Sequence, residues 1–294
     1  MAAKKILLTG ANGFTGRHMT DAAIAGGHDV HALTANLTEA DEVSREVSDI
    51  APHFVIHLAG ISAITHHDEF AFYKNNTFGT QNLFEALAML RRTPDAILLA
   101  SSANIYGNCD ASPITEREIP APINHYALSK LAAEGVARMY SQRLPTKIIR
   151  PFNYTGVGHD DRFVIPKIVK AYVARDPFIS LGNLFAEREY NDVRFVVDTY
   201  LQLLVSGAAG ETYNLCSSVT YSIQNILHVL TELTGHVPEV RVNPSLLRAN
   251  ELQRLCGSPD KLESVTQHRV KNNLRELLTW MLEAHAAQSP SVAP

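Results

Sequence analysis

The N-terminal stretch through Ala25 constrains this chain more than any other. The apolar run Lys4-Lys5-Ile6-Leu7-Leu8-Thr9 has the length and composition of a buried strand. It ends in Gly10-Ala11-Asn12-Gly13-Phe14-Thr15-Gly16, and a helix-like segment follows. Glycines at this G-x-x-G-x-x-G spacing permit a tight turn, let backbone N–H groups approach a pyrophosphate, and allow the helix to pack closely on the strand. The first turn of a helix leaves amides unpaired and carries the positive end of the dipole, which favours an anion there. A glycine trio can also be a plain tight turn, but its place between a first strand and a first helix is the context of a dinucleotide site. Gly10, Asn12, Gly13, Phe14, Thr15, Gly16 and Arg17 are the candidate cradle.

A second strand, Asp29 to Thr34, follows the Gly26-Gly27 break. Its tip is where an acidic residue would hold the ribose 2'-hydroxyl of NAD, and Thr34 stands there instead, with Asn36 and Leu37 next to it. The chain then enters a helix for which Thr38 and Asp41 form a capping box. With no carboxylate to repel a 2'-phosphate, the reading favours NADP(H) and leaves NAD(H) open. Arg17 is a candidate phosphate partner, or simply a solvated helix residue.

The third strand, His53 to Leu58, ends in the small residues Ala59-Gly60-Ile61-Ser62, suited to backbone passing beneath a cofactor. Leu58, Ala59 and Gly60 join the cofactor set, and Ser62 lies where a substrate would approach. His66-His67-Asp68-Glu69 invites a metal reading, yet adjacent histidines on a helix point about 100° apart and no further ligand set stands out. No metal site is expected. Phe70 to Leu90 is helical in pattern, and Asn76 with Gly79 inside it predicts a locally distorted helix beside the site.

Ala96 to Ala100 is a fourth strand that delivers Ser101-Ser102-Ala103-Asn104-Ile105-Tyr106-Gly107 at its carboxyl end, where open α/β sheets bind ligands. A proline-rich loop over residues 108–124 leads to Tyr126-Ala127-Leu128-Ser129-Lys130, in a segment of helical composition running to Ser141. Four residues is one helical turn, so phenol and ammonium share a face. A cation about 5 Å away at an effective dielectric of about 20 contributes roughly 3 kcal/mol, enough to lower a phenol by about two units of pKa and bring it toward acid–base work. Tyr and Lys at this spacing also occur on ordinary amphipathic helices. The strand Thr146 to Arg150 then ends in Pro151-Phe152-Asn153-Tyr154-Thr155-Gly156. Regular alternation of strands and helices to this point predicts an α/β fold, a doubly wound parallel sheet.

Beyond Gly158 the alternation fades. A helix over Phe163 to Ala174, a strand over Phe178 to Leu181, a charged turn from Glu187 to Arg194, a helix over Phe195 to Leu204, a strand over Thr212 to Cys216 and a helix over Ser222 to Leu233 describe a smaller second lobe. The expected division is residues 1–158 with about 191–215 as the Rossmann domain, about 159–190 with 216–287 as the substrate lobe, and 288–294 as a disordered tail. Three cysteines without C-x-x-C spacing suggest reduced thiols. A net charge of -4 without a basic tract argues against nucleic acid or an anionic membrane as partner. With no apolar run long enough for a bilayer and no signal-peptide n-region, a cytoplasmic protein is expected.

Taken in order, these features resemble the extended short-chain dehydrogenase/reductases that act on nucleotide sugars, the NAD-dependent epimerase/dehydratase family. The markers are Gly10, Gly13 and Gly16; Leu58-Ala59-Gly60; Asn76 with Gly79-Thr80; Ser101-Ser102 before Tyr106-Gly107; Tyr126 and Lys130; Arg150-Pro151-Phe152-Asn153; Arg188 before Asp192-Val193-Arg194; Tyr213-Asn214; and Arg248 to Glu251. The resemblance implies Ser102 as the hydroxyl of a triad, with Ser101 as runner-up. It implies Tyr126 as acid/base and Lys130 as the group that holds the nicotinamide ribose and lowers the tyrosine pKa. Pro151 and Phe152 would lie near the nicotinamide. Asn153, Arg188 and Arg248 would grip the diphosphate and ribose of a nucleotide sugar, with Ser62, Ser102, Ala103, Asn104 and Glu251 as further substrate-binding candidates, although Arg188 could merely pair with Glu189 or Asp192. Dehydratases of the family carry an acid pair directly after the catalytic hydroxyl; Ala103 and Asn104 cannot trade protons at neutral pH. Of the family's members, the chain most resembles the GDP-4-keto-6-deoxy-mannose reductases that form GDP-rhamnose. A carbon-4 epimerase holding its own NAD is the second reading, and a non-catalytic dinucleotide sensor the third. The family also implies a homodimer, through a four-helix bundle built on the Tyr126 helix and the Phe70 to Leu90 helix.

Overall fold

A computed structural model describes residues 4–62, 68–246, 253–266 and 273–288. The predicted alternation appears as β1 (Lys5–Thr9), α1 (Phe14–Ala25), β2 (Asp29–Ala32), α2 (Ala40–Ile50), β3 (Phe54–His57), α3 (Glu69–Phe72), a π-helical turn (Tyr73–Phe78), α4 (Gly79–Ala88), β4 (Ala96–Ala100), α5 (His125–Met139) and β5 (Thr146–Pro151). There follow β6 (Tyr154–Thr155), α6 (Val164–Ala174), β7 (Phe178–Leu181), β8 (Glu187–Glu189), β9 (Asn191–Asp192), α7 (Val193–Ser206) and β10 (Thr212–Leu215). The chain ends in β11 (Thr220–Tyr221), α8 (Ile223–Thr234), β12 (Glu239–Val242), β13 (Arg254–Leu255), α9 (Asp260–Thr266) and α10 (Leu274–Gln288).

Six parallel strands form the central sheet in the order β10-β5-β4-β3-β1-β2. The chain turns one way from β1 to β2 and then builds β3, β4, β5 and β10 on the other side of β1. The switch point therefore lies between β1 and β3, and the crevice beyond their carboxyl ends is where such sheets bind ligands. β3 and β4 are buried throughout, as apolar strands covered on both faces must be. Met19 and Ala23 of α1 and Val196, Tyr200 and Leu203 of α7 cover one face. Val43 and Val47 of α2, Leu83 and Leu87 of α4, and Ala137 of α5 cover the other. Burying a side chain of this kind stabilises the fold by about 1.5–3 kcal/mol each.

A separate cluster joins Ile168 and Tyr172 of α6, Ile179 and Leu181 of β7, Ile226 and Leu230 of α8, and Leu277 and Leu278 of α10. Trp280 touches both bodies. Leu262 of α9 packs in the first cluster with β10 and α7, although its sequence position follows the second lobe's helix.

Local readings differ in three places. The expected capping box at Thr38 does not form: α2 starts at Ala40 with Glu39 as its uncapped N-cap, and the Thr38 hydroxyl donates instead to Asn36 Oδ1 and Glu39 Oε1. β2 stops at Ala32 rather than Thr34, because the amides of Thr34 and Ala35 donate to the Glu46 side chain. The charged turn at Glu187–Arg194 contains two short strands, β8 and β9, which pair with β11, β13 and β6. The distorted helix at Asn76 is present as the π-helical turn, in which Gly79 N donates to Lys74 O five residues back. The tail residues 289–294 lie outside the described residues.

Candidate active site

The glycine turn has the shape a dinucleotide phosphate requires. Gly10 has φ +72°, and a Cβ there would meet the backbone nitrogen of Ala59 at 2.8 Å. At Gly16 a Cβ would lie 2.0 Å from the Gly10 carbonyl oxygen, so turn and helix touch backbone to backbone. No side chain caps α1 and no acid stands in its first turn, which leaves that end open to an anion. Beside the turn a cleft of about 310 Å³ is lined by Gly10, Leu33, Ala35, Leu37, Gly60 and Asn75 among others. A somewhat larger cleft of about 360 Å³ lies between α8 and the start of α10, away from the strand ends. Ala59, Gly60 and Ile61 line the first cleft, with Ala59 N donating to Thr9 Oγ1, whereas Leu58, offered by the sequence to the cofactor, packs against the core of the sheet instead.

The glycine turn also braces the segment that follows β5. Phe14 stacks on His159 at 4.3 Å, Thr15 Oγ1 is 2.8 Å from the Tyr154 hydroxyl, and Arg17 donates to the carbonyls of Asn12 and Gly158. Arg17, offered by the sequence to a cofactor phosphate, is thus held toward the 154–163 segment. At the tip of β2, Thr34 N and Oγ1 donate to Glu46 Oε1, and Ala35 N donates to Glu46 Oε2. Asn36 Oδ1 accepts from Thr38, and Leu37 packs on Gly79.

At the other end of the cleft, Ser102, Tyr126 and Lys130 come together. Ser101 continues the β4 ladder through Ile149 and its hydroxyl is buried with no partner among the described residues, whereas Ser102 faces the site. Asn104 donates to Ser102 Oγ twice, from its backbone and from its side chain, each at 3.2 Å. The one Ser102 proton is left for another acceptor, and Tyr126 is near enough for Ser102 to pull its pKa down. Ala103 is buried beside them.

Tyr126 differs from its expected state. Burial pushes the phenol up to about 12, and only the Ser102 hydrogen bond opposes it. The same burial lowers Lys130 to about 8, against the pull of Glu134. Desolvation of both groups therefore outweighs the attraction that a phenolate would gain from the ammonium. Lys130 Nζ donates to the Ala100 carbonyl at 2.8 Å and lies beside Gly60. α5 is fixed to β5 by a buried bidentate pair, Arg150 with Glu134, extended through Tyr106 to Asn214.

Asn76 accepts from Ile61 N and donates to Ile61 O and Ser129 Oγ, which ties the Gly60 loop to α5. His57, which sequence reasoning passed over, lies below it. Thr80 Oγ1 donates to Asn76 O, so His57 Nε2 must donate to Thr80; in the neutral ring that burial favours, Nδ1 then accepts from Thr9 Oγ1, which itself accepts from Ala59 N. A histidine inside an otherwise apolar strand was the available signal. Glu46 was signalled only by its place beside the buried Val47.

Of the remaining candidates, Pro151 ends β5, and Phe152 packs on Tyr106 and Gly257. Asn153 is exposed and its carbonyl accepts from Asn191 N. Arg188 is half-buried on β8 and donates to the Glu187 carbonyl. Ser62, next to the cleft-lining Ile61, is exposed and does not itself line the cleft. Arg248, Glu251, His66 and His67 lie outside the described residues. Among the described residues no group of three or more His, Cys, Asp or Glu is placed to hold a metal ion. No described helix is long and apolar enough to cross a membrane. All three cysteines are free.

A doubly wound parallel sheet with a tight glycine turn after its first strand, and a serine, a tyrosine and a lysine gathered beyond β4, defines an NAD(P)-dependent oxidoreductase of the extended short-chain type. The chain belongs to the NAD dependent epimerase/dehydratase family, whose model matches residues 6–216. It is 31% identical over 268 residues to the GDP-6-deoxy-D-talose 4-dehydrogenase of Aggregatibacter actinomycetemcomitans, covering 89% of this chain and 90% of that protein. Identity is also 31%, over 296 residues, to the GDP-6-deoxy-D-mannose reductase of Pseudomonas aeruginosa, covering 94% and 96%. The structure of RMD from Pseudomonas aeruginosa complexed with NADPH superposes with a TM-score of 0.89 at 28% identity, covering 98% of this chain and 100% of that one.

Proposed function

We propose that this enzyme reduces the 4-keto group of a nucleotide-linked 4-keto-6-deoxyhexose, with GDP-4-keto-6-deoxy-mannose as the substrate and GDP-rhamnose or its 4-epimer as the product. The observation that carries the reading is the proton inventory beyond β4. A phenol held at about 12 keeps its proton at neutral pH, the state a ketone reduction needs. A dehydratase needs acids where Ala103 and Asn104 stand.

The nicotinamide cofactor, when bound, supplies a hydride to the carbonyl carbon. Tyr126 gives its proton to the carbonyl oxygen as the carbon–oxygen double bond becomes a secondary alcohol. Ser102, its acceptor sites filled by Asn104, donates a hydrogen bond to the same oxygen. Lys130 would hold the nicotinamide ribose from below and reprotonate Tyr126 through it. Gly10 to Gly16 would hold the pyrophosphate, and Asn153 and Arg188 would receive the nucleotide sugar. The relatives act on GDP-linked deoxyhexoses by name, which supports the base chosen.

The division into a cofactor domain and a substrate lobe, a cytoplasmic location and a homodimer belong to the same proposal. Phe70, Phe78 and Met89 on the α3–α4 side and Leu128 and Met139 on α5 are all exposed, which supports pairing of these helices across a four-helix bundle. The test is loss of reduced-cofactor absorbance with GDP-4-keto-6-deoxy-mannose, beside the UDP- and dTDP-linked ketones. Turnover with the GDP ketone supports the reading; absence of turnover with every ketone refutes it.

A further inference from the structure

Glu46 occupies the place where the two forms of the cofactor differ. The tip of β2 and the two residues after it offer three donors, Thr34 N, Thr34 Oγ1 and Ala35 N, and Ala35 lines the cleft over the glycine turn. Amides and a hydroxyl of this kind, at this point of a dinucleotide fold, are what a 2'-phosphate would take. All three are already held by one carboxylate, at 2.8, 3.0 and 2.7 Å. Glu46 reaches them from α2, twelve residues after Thr34, so an internal anion fills the anion's seat.

The surroundings strengthen the effect. Between Asn36 and Ile50 the chain carries Glu39, Asp41, Glu42, Glu46 and Asp49 against the single cation Arg45, which donates to the Asp41 carbonyl. Arg17 is bonded to Asn12 and Gly158. A dianionic 2'-phosphate would meet a carboxylate that already has its partners. A ribose 2'-hydroxyl brings no charge to be repelled: a carboxylate has about four acceptor sites, three are used, and the fourth, on Oε2, can accept the hydroxyl proton.

We propose that Glu46 makes this enzyme selective for NAD(H) over NADP(H). The acid missing from the strand tip is thus supplied by the following helix, which reverses the preference drawn from Thr34 alone. The proposal rests on the dinucleotide site and not on the choice of sugar.

Binding of NADH and NADPH to the full chain, followed by quenching of protein fluorescence without any sugar present, tests it. 5'-AMP and adenosine 2',5'-bisphosphate serve as competitors that isolate the 2'-phosphate. The wild type should bind NADH at least about tenfold more tightly than NADPH. In Glu46→Gln, nearly the same shape without the charge, and in Glu46→Ala, the ratio should narrow by about tenfold or more, chiefly through tighter NADPH binding. Equal or tighter NADPH binding by the wild type, or a ratio that stays the same in Glu46→Gln, would overturn the proposal. If Glu46→Ala melts early, the isosteric variant still decides. Inactivity with the GDP ketone would count against the reductase reading and leave this ratio untouched.

Discussion

His57 offers a direct test of how the buried hydrogen bonds hold the sheet. It is 1% exposed, and burial, with a smaller push from the Lys130 charge, lowers its pKa from 6.5 to about 3. The wire around it fits the neutral ring that burial enforces, with Nε2 donating to Thr80 and Nδ1 accepting from Thr9. The folded state therefore binds no proton here until pH 3, whereas the unfolded chain protonates near 6.5. Stability attached to this histidine is whole above pH 6.5 and falls as pH drops from there toward 3, at about 1.4 kcal/mol per pH unit and about 5 kcal/mol in total. Other groups titrate in the same range, among them His159, lowered to about 4 by burial, so the comparison must be with His57→Asn. That variant can keep an acceptor and a donor but cannot titrate. Denaturant unfolding at pH 7.5, 6.5, 5.5 and 4.5 should show the wild type losing about 2–3 kcal/mol more than the variant between the first and last values. Equal slopes in the two proteins would refute the neutral wire, whatever the variant's absolute stability.

Tyr126→Phe should lower ketone reduction by roughly 10²–10⁴-fold while dinucleotide binding stays near wild type; a turnover within a few-fold of wild type would remove the phenol from the chemistry. Gly16→Ala should abolish dinucleotide binding and lower the melting temperature, because a Cβ 2.0 Å from the Gly10 carbonyl must push turn and helix apart; unchanged binding by calorimetry would contradict the close packing. Reduction should be level below about pH 8 and decline above it, as Lys130, held near 8, gives up its charge while Tyr126, near 12, keeps its proton. A profile flat to pH 10 would mean that the ammonium is not needed.

Much of the fold could be read because its signals are local. The strand and glycine turn at Lys5–Gly16, the β4 run Ala96–Ala100 and the helix carrying Tyr126 and Lys130 each follow from neighbours in sequence. Even the π-helical turn was foreshadowed by Asn76 and Gly79 in a helical pattern. What escaped depends on contacts between residues far apart in the chain. Glu46 meets Thr34 only because β2 hands over to α2 without another crossover, and the tip of β2 then lies against the side of α2. His57 meets Thr9 across the β1–β3 pair and Thr80 across the helix layer, at separations of 48 and 23 residues. Tyr126 was misjudged for a related reason. Its neighbour in sequence, Lys130, was visible, but the burial that raises the phenol comes from the elements packed over it.

The π-helical turn connects these observations. Its extra residue shifts Asn76 so that the side chain spans Ile61 and Ser129 while its carbonyl receives Thr80. The Gly60 loop, the helix of Tyr126 and Lys130, and the His57 wire under the glycine turn therefore share one residue. One step further along, Gly79 allows the helix to approach Leu37, with 3.0 Å between the Leu37 Cβ and the place a Cβ would take, and Asn82 donates to the Leu37 carbonyl. Leu37 lines the cleft beside β2, and Gly60 lines it beside β3. A single stretch, residues 76–82, thus braces both ends of the same cleft. An ordinary α-helical turn there would advance the later residues by about 100° relative to the earlier ones. It could satisfy Asn76 or Leu37 but not both, which is the physical reason to keep a helix irregularity that on its own has poorer hydrogen bonding.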